Sequence, residues 1–235
     1  MLRLASPVNT ALLRRVAQSA GVAVGLAFSF LPTAYAAALS PESAQTGTYV
    51  YQVLRNGEVV GEQRADFERR GDELRVVTEV RINITLLGLK VYDFTQRIEE
   101  HWNKGVLMDL TSVSVDDGDT RNVKLTREGD RLIGTCDGKE RNLPGNLIPT
   151  TLWNSAVVEH SSVLETVKGR ERSFTVAQKG IEKVALPVGD VAARHFVFTG
   201  DFKREAWYDD SGVLVASQME AKDGSIIRQE LLRTP

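Results

Sequence analysis

The chain has 235 residues, 42% of them hydrophobic and 26% charged, with 29 basic and 31 acidic side chains. This length suits one domain with a sizeable core, and the slight acidic excess argues against a nucleic-acid partner, which requires a basic face. The single cysteine, Cys136, excludes a fold held together by disulfide bonds within the chain.

Residues 1–36 predict a cleavable export signal. Three arginines and no acidic residue precede an apolar stretch at 21–31, and Ala34-Tyr35-Ala36 supplies the small-x-small pattern that signal peptidase recognises. A membrane anchor is the alternative, but the apolar stretch is shorter than the about 20 residues that span a bilayer. We therefore expect cleavage near Ala36 and a periplasmic product.

The predicted signal leaves the export route open, since Arg14-Arg15 is compatible with twin-arginine export as well as with the general secretory route. Its removal leaves 26 basic and 31 acidic side chains, a net charge of −5 that argues against strong attraction to anionic lipid headgroups. No later run of about 18 apolar residues occurs, so we expect no membrane span in the mature chain.

The mature chain shows short strand patterns separated by glycine turns. Residues 37–46 are small and polar and predict a flexible leader, whereas 47–235 predict a single β-rich domain. Asn56-Gly57 is the strongest two-residue hairpin signal, and similar turns recur at Asp117-Gly118 and Asp137-Gly138. The predicted fold class is all-β and mainly antiparallel, either a curved open sheet that forms a half-barrel or a β-roll of hairpins.

The stretch from Glu79 to Trp102 shows period-two alternation, which predicts one buried and one solvated face. Around Gly88 the alternation fails and both faces become apolar, which predicts a bulge or a bend. Such strands are either covered by a second layer or expose a groove for an apolar ligand, lipid or partner. The apolar even-numbered positions are Ile82, Ile84, Leu86, Tyr92, Phe94, Ile98 and Trp102.

A proline-containing loop at 143–149 interrupts the strand pattern. Thr150 or Thr151 can then cap a short helix, and we expect this helical insert near 150–160 to close one end of the sheet or to plug its concave side. The residues predicted for the helix include Leu152, Trp153, Ala156 and Val157.

The sequence contains no recognisable catalytic motif. His101, His160 and His195 lack the short spacings typical of zinc sites, and turn chemistry accounts for acidic clusters such as Asp116 to Asp119. A nucleophile elbow, a phosphate-binding loop and a dinucleotide fingerprint are all missing. The sequence therefore assigns no catalytic residue, metal or cofactor, and it leaves open whether the protein is an enzyme.

The chain resembles an uncharacterised family of exported bacterial proteins, known as domain of unknown function 6134. The resemblance runs from Tyr51 to Leu231 and implies no catalytic residue, because the family has no established activity. It rests on Asn56-Gly57 with Gly61, Tyr92 to Trp102 with Glu100-x-Trp102, Leu143-Pro144-Gly145, Trp153-Asn154, Trp207-Tyr208-Asp209 with Gly212, and Asp223-Gly224.

The leading hypothesis is a periplasmic protein that binds an apolar small molecule, a lipid or an envelope protein in the concavity of a curved antiparallel sheet. Two alternatives stay open: a periplasmic hydrolase acting on envelope polymers or their fragments, and a structural envelope subunit. A polar cleft joining His101 with Glu99 or Asp93 would favour the hydrolase. The predicted ligand-binding residues are Leu87, Leu89, Tyr92, Phe94, Trp102 and Trp153.

Overall fold

The structure is a computed structural model that describes residues 39–86 and 89–235. The export signal predicted for residues 1–36 and the bend predicted at Gly88 lie outside the described residues.

The described chain consists almost entirely of β-strands. The strands are β1 Gly47–Arg55, β2 Glu58–Arg70, β3 Glu73–Leu86, β4 Leu89–Asn103, β5 Val106–Asp116, β6 Asp119–Glu128, β7 Arg131–Cys136, β8 Lys139–Pro144, β9 Ile148–Pro149, β10 Ser162–Glu165, β11 Arg170–Val184, β12 Val191–Gly200, β13 Arg204–Tyr208, β14 Leu214–Glu220 and β15 Ile226–Arg233. A five-residue 3-10 turn, Ser155–Glu159, separates β9 from β10.

The strands form one sheet in which each hairpin lies beside the next. Its order is β8 to β1 and then β15 to β9, so the first and last strands of the domain meet in the middle of the sheet. All described pairs are antiparallel except β9 with β10. The predicted all-β, mainly antiparallel fold with a curved open sheet is confirmed.

The predicted hairpin turns have the backbone that they require. Asn56 and Gly57 adopt φ angles of 50° and 88°, a left-handed pair that glycine and asparagine tolerate best. Asp117-Gly118 and Asp137-Gly138 repeat this geometry between β5 and β6 and between β7 and β8. Local turn chemistry therefore sets the register of these hairpins.

Alternate turns lie at the same end of the sheet, because each hairpin reverses the chain. The β1–β2, β3–β4 and β5–β6 turns share one end, which we call the tip end. The β14–β15 and β12–β13 turns lie there too, since β15 is antiparallel to β1 and the Asn56 amide donates to the Ile226 carbonyl at 2.9 Å. The opposite end, which carries the β2–β3 and β4–β5 turns, is the base end.

The predicted alternation in β4 is confirmed. Ile98 and Trp102 are buried on the inner face of the sheet, while Arg97 and His101 point outward and are exposed. The inner face holds two hydrophobic clusters, one around Phe67 and the other around residues of β11 to β15.

The segment 147–166 packs across the inner face and joins the two clusters. Leu147, Trp153 and Leu164 belong to the cluster around Phe67, whereas Ile148 and Val163 belong to the other. Because side chains of this segment fill space between the clusters, it acts as a plug on the inner side of the sheet. We call residues 147–166 the plug segment.

The prediction of the helix boundary and cap was wrong. The 3-10 turn starts at Ser155, and Asn154 caps it by accepting a hydrogen bond from the Ala156 amide at 3.1 Å. Leu152 has a φ of 62°, which breaks a right-handed helix at that point. Thr151 therefore has a different role, described below.

Residues 39–46, within the predicted flexible leader, make specific contacts with the domain. Ala44 is 1% exposed, and the Arg69 guanidinium donates to the carbonyls of Ala44 and Pro41. The Ser155 amide donates to the Leu39 carbonyl at 3.0 Å, so this stretch also touches the plug segment. Small and polar residues give no sequence signal for such backbone contacts.

Within the described ranges, the structure contains no helix with the length and hydrophobicity needed to cross a membrane.

Candidate binding site

The β3–β4 hairpin extends beyond its neighbours at the tip end. Its pairing continues to Leu86 with Leu89, whereas β2 last pairs at Ile82 and β5 first pairs at Phe94. Beyond these points the two strands pair only with each other, apart from the Asp93 carbonyl, which accepts from the Asp117 amide at 2.8 Å. We call this two-stranded extension, residues 83–86 and 89–93 with its flanking pair Ile82 and Phe94, the hairpin tip.

The hairpin tip is rich in apolar side chains that the rest of the described domain does not cover. Leu89 is 71% and Val91 is 51% exposed, and both lie in β4. A register shift makes Val91 the extra residue of a bulge and pairs Leu89 with Leu86, so Leu89 is in register with the inner-face positions of β3. Ile84, Tyr92 and Phe94 are half-buried and follow the alternation of the inner face. The inner face thus continues as an apolar surface beyond the rim of the sheet.

Tyr92 presents its ring on this surface while its hydroxyl is held at the rim. Burial and a hydrogen bond with the Asp116 carboxylate raise the pKa of Tyr92 well above its ordinary value. The phenol is therefore neutral at all physiological pH values, which suits an apolar contact.

The structure divides the predicted binding residues into two groups. Leu89, Tyr92 and Phe94 belong to the hairpin tip, and Leu87 lies outside the described residues. Trp102 and Trp153 instead lie in the core, 4% and 3% exposed, with their rings edge to face at 5.6 Å. Phe94 and Trp102 are separated by eight residues of strand, a distance of about 26 Å.

A buried carboxylate, Glu100, connects the tryptophan pair to the plug segment. Its side chain is fully buried, and its Oε2 accepts from the indole N–H of Trp102 at 3.0 Å and of Trp153 at 3.1 Å. Thr151 Oγ1 donates to Oε1 at 2.8 Å. These three bonds attach the plug segment to β4, and we call the four residues the Glu100 cage.

Burial controls the protonation of Glu100. The loss of water around the carboxylate raises its pKa to about 7, although the donors Thr151, Trp153 and Trp102 partly oppose the rise. The neutral acid keeps the same contacts, because its O–H can donate to the Thr151 hydroxyl while the other oxygen accepts both indole N–H groups. Near neutral pH the cage therefore holds a proton that the unfolded chain releases.

The stability of the protein is expected to fall as the pH rises from about 5 to about 8. A carboxyl group whose pKa is higher in the folded state binds its proton more tightly there. It stabilises the folded state fully at pH values below its pKa in the unfolded chain, and this stabilisation is lost as the pH rises through its pKa in the folded state. With a folded pKa of about 7 and an ordinary value of 4.5, the loss is about 3 kcal/mol. Urea unfolding at a series of pH values measures this loss in the free energy of unfolding.

Glu100→Gln is the matched control, because glutamine reproduces the neutral acid. Its NH₂ group can donate to Thr151 and its oxygen can accept from both tryptophans. We expect this variant to equal the parent at pH 5 and to exceed it at pH 8. An equally steep decline in the variant would show that other groups cause the pH dependence.

Polar side chains line the inner face on the tip side of the Glu100 cage. Gln229 links Gln63 and Ser217 in one hydrogen-bonded chain, with distances of 2.7 and 2.8 Å. Gln96 donates to Ser112 at 3.0 Å and to Thr166 of the plug segment at 3.1 Å. The inner face therefore changes from apolar around the cage to polar towards the tip end.

Three buried polar atoms on this face have no hydrogen-bond partner in the described structure. They are Thr78 Oγ1, Ser114 Oγ and Arg204 Nε. Buried polar groups in native proteins are nearly always paired with protein, water or ligand. All three side chains belong to the inner face, on the separate strands β3, β5 and β13.

The outer face carries two histidine–carboxylate pairs. His101 Nε2 lies 3.2 Å from Glu99 Oε1, but His101 is 46% exposed and Arg75 holds the pKa of Glu99 at about 2. A carboxylate with such a low pKa is a poor general base. This pair lies on an exposed strand face, so the cleft expected for the hydrolase hypothesis is not formed by these residues.

His195 forms the second pair, with Glu205 Oε2 at 2.7 Å from its Nε2. Its ring stacks on Trp207 with centroids 4.4 Å apart, and Arg228 covers the Trp207 ring at 4.9 Å. These contacts fix the histidine within a surface cluster and account for its orientation. Within 39–86 and 89–235, no three side chains of metal-binding type converge.

An open groove of about 770 Å³ lies at the base end, between residues 40–42, the β4–β5 and β6–β7 turns and the start of the plug segment. Its arginines already have protein partners. Arg127 donates to the carbonyls of Leu107, Gly129 and Gly145, and Arg131 donates to Asn142. The arginines of the groove are therefore engaged within the protein.

Two central residues, Glu100 and Arg204, were not among the residues predicted from the sequence. The alternation of buried and exposed positions along β4 and β13 contained a signal for each of them. Glu100 occupies an even-numbered position among the buried residues of β4, and Arg204 shares its face of β13 with Ala206 and Tyr208. A charged residue in register with buried neighbours is the pattern that could have identified them.

Comparisons with known proteins identify a family and a similar fold, but they assign no activity. The sequence profile of the family described as "Domain of unknown function (DUF6134)" matches residues 51–232. No match is found among curated proteins.

The crystal structure of a beta-barrel-like protein of domain of unknown function DUF1849 from Brucella abortus is similar in fold. The TM-score is 0.58 at 10% sequence identity, and the match covers 81% of this chain and 97% of that chain. At this identity the likeness concerns the fold alone.

Proposed function

The chain belongs to the family described as Domain of unknown function (DUF6134), and from this starting point we propose that the protein binds an apolar ligand on the inner side of the hairpin tip. One observation carries the proposal. The hairpin tip extends beyond β2 and β5, yet Leu89 and Val91 are 71% and 51% exposed and Ile84 and Tyr92 are only half-buried.

Exposed apolar side chains on a two-stranded extension do not contribute to the folded core. Grouped apolar surface of this kind marks an interaction site more often than a structural element. Covering it with a ligand removes apolar area from water, which stabilises the complex by about 25 cal/mol per Å². The two β-strands hold this surface in place before binding, which limits the entropy lost on association.

We place this activity in the periplasm. The predicted signal at 1–36, with cleavage near Ala36, supports export of a single domain that starts at about residue 47. Small molecules with apolar parts in that compartment include lipids and their fragments. A lipid-like ligand suits the hairpin tip better than an envelope protein does, since the neighbouring inner face is concave and lined by side chains of both polar and apolar type.

A structural envelope subunit is the competing function. Such a subunit would use the hairpin tip for a large protein interface rather than for a ligand. Small-molecule binding by the isolated protein separates the two, because a subunit interface has no reason to bind an apolar dye.

Replacement of Leu89 by glutamate is expected to weaken binding of the neutral apolar dye Nile red at least tenfold. The added carboxylate lies within the apolar surface and must lose water when the dye covers it. A fluorescence titration of the full chain, expressed with its own leader, measures the dissociation constant.

Ile181→Glu is the matched control, because Ile181 is also 71% exposed but lies in the β11–β12 hairpin, whose turn is at the base end. We expect it to leave the dissociation constant unchanged. Equal weakening by both substitutions, or no dye binding by the unaltered protein at micromolar concentration, would refute the proposed function.

A further inference from the structure

Arg204 is placed to meet a ligand that enters from the tip end. It is the first residue of β13 and directly follows the β12–β13 turn at that end. Side chains alternate along a strand, so Arg204 shares the inner face with Ala206 and Tyr208, which are 0% and 2% exposed. Ser217 pairs with Ala206 and belongs to the polar chain of the same face.

The guanidinium of Arg204 has no anionic partner among the described residues. Its Nη2 lies 2.9 Å from the Met219 sulfur, a weak acceptor, and its Nε is buried without any partner. Other arginines are better satisfied. Arg75 donates to Glu99 at 2.6 Å, and Arg127 donates to three backbone carbonyls.

The surroundings of Arg204 are aromatic and apolar. Its Cζ lies 5.6 Å from the centroid of the Phe202 ring. Phe202 packs on Phe198 and Phe174 with centroids 5.7 and 6.0 Å apart. Burial lowers the pKa of Arg204 to about 10, which still leaves a cation at neutral pH.

Arg204 as a residue is half-buried, but its Nε is fully buried. A cation that loses part of its water without gaining a counter-ion opposes folding. An arginine in such a position is explained when an anion from outside the chain binds its guanidinium group. The guanidinium has a planar array of donors that fits the two oxygens of a carboxylate or phosphate.

We propose that Arg204 binds the anionic head group, a carboxylate or a phosphate monoester, of an amphipathic ligand whose apolar chain runs along the inner face to the hairpin tip. This inference rests on the proposed function, because the hairpin tip is the part that takes the apolar chain. Arg204 and the hairpin tip are at the same end of the sheet and on the same face, with β2, β1, β15 and β14 between β3 and β13. The apolar chain therefore extends from Arg204 across these strands towards the hairpin tip.

Three probes with the same twelve-carbon chain test the inference at pH 8: dodecanoate, dodecyl phosphate and the uncharged dodecanol. Isothermal titration of the full chain is expected to show at least tenfold tighter binding of one or both anions than of dodecanol. Which anion binds more tightly identifies the head group. Arg204→Met should bring the anions to within about twofold of dodecanol.

Arg228→Met is the control, since Arg228 lies on the outer face over Trp207 and should not affect the preference. Arg204→Lys keeps the charge and should retain part of the preference. Thermal unfolding provides a second readout, because Arg204→Met removes an unpaired, half-buried charge and should keep or raise the melting temperature, whereas loss of a structural arginine would lower it.

The outcomes separate the two proposals. Equal binding of all three probes by the unaltered protein would overturn the role of Arg204 and leave apolar binding intact. Failure of every probe to bind would overturn both. An anion preference that survives in Arg204→Met would also contradict the inference, since the head group would then be held elsewhere.

Discussion

Replacing Glu100 with alanine is expected to lower the free energy of unfolding by about 4 kcal/mol at pH 5. The substitution leaves the indole N–H groups of Trp102 and Trp153 and the hydroxyl of Thr151 without a partner inside the core. Each buried and unsatisfied group costs about 1–3 kcal/mol, and a cavity adds to the loss. Urea unfolding followed by tryptophan fluorescence measures the effect directly.

The choice of pH is part of the experiment. At pH 8 the buried negative charge of Glu100 destabilises the parent protein, so the difference in unfolding free energy between the parent and Glu100→Ala should be smaller there. Glu140→Ala provides the control, because Glu140 is exposed on β8 and its loss should change stability by less than about 0.5 kcal/mol. A loss below about 1 kcal/mol for Glu100→Ala at pH 5 would show that the cage does not hold the plug segment.

Replacing Trp153 with alanine is expected to cost about 4 kcal/mol as well, through lost packing rather than lost polarity alone. Trp153 is 3% exposed and contacts Phe67 and Trp102 edge to face, with ring centroids 5.2 and 5.6 Å away. Trp153→Phe keeps much of this contact but loses the bond to Glu100, so its expected cost is about 1–2 kcal/mol. Chemical denaturation of both variants gives the two values.

Coupling between the two residues distinguishes a cage from two independent contacts. In a double-mutant cycle, Glu100→Ala and Trp153→Ala should be less destabilising together than the sum of the single changes, because both remove the same hydrogen bond. Simple additivity would contradict the cage. Amide exchange at Thr150, which donates to the Leu164 carbonyl within the plug segment, should accelerate in either variant.

The cage also explains why the plug segment needs few regular hydrogen bonds. Its only strands are the short β9 and β10, and its 3-10 turn spans five residues. Side chains of Trp153 and Thr151 therefore take over part of the attachment that backbone ladders provide elsewhere. The pH dependence of stability and the substitutions in the Glu100 cage therefore both report on how this segment is attached.

Local patterns predicted the hairpins well. Asn56-Gly57 joins β1 and β2 as expected, and the even-numbered residues of β4 such as Ile98 and Trp102 are buried. These features depend on neighbours within about ten residues, which period-two alternation and turn chemistry encode directly. The same patterns predicted the apolar character of Leu89, Tyr92 and Phe94.

Local patterns were less informative where polar residues are buried. Glu100 stood beside Glu99 in the sequence and looked like part of an ordinary acidic pair, yet one is fully buried and the other forms an ion pair with Arg75 on the outer face. The helix cap assigned to Thr150 or Thr151 failed for a related reason. Thr151 bonds to a carboxylate 51 residues away instead of to the adjacent backbone.

The sequence by itself determined the β-rich, antiparallel character of the chain, its Asn-Gly and Asp-Gly hairpin turns and the apolar face of β4, because these follow from interactions between close neighbours. The tertiary structure alone decided that β1 pairs with β15, that the plug segment crosses the inner face, and that Trp102 and Trp153 meet at Glu100 while the hairpin tip lies about 26 Å away. These features join residues far apart in the chain, and no short pattern records such contacts. Arg204 and the hairpin tip share one end of the sheet for the same reason, which is why a binding site for an amphipathic anion could be proposed only from the folded protein.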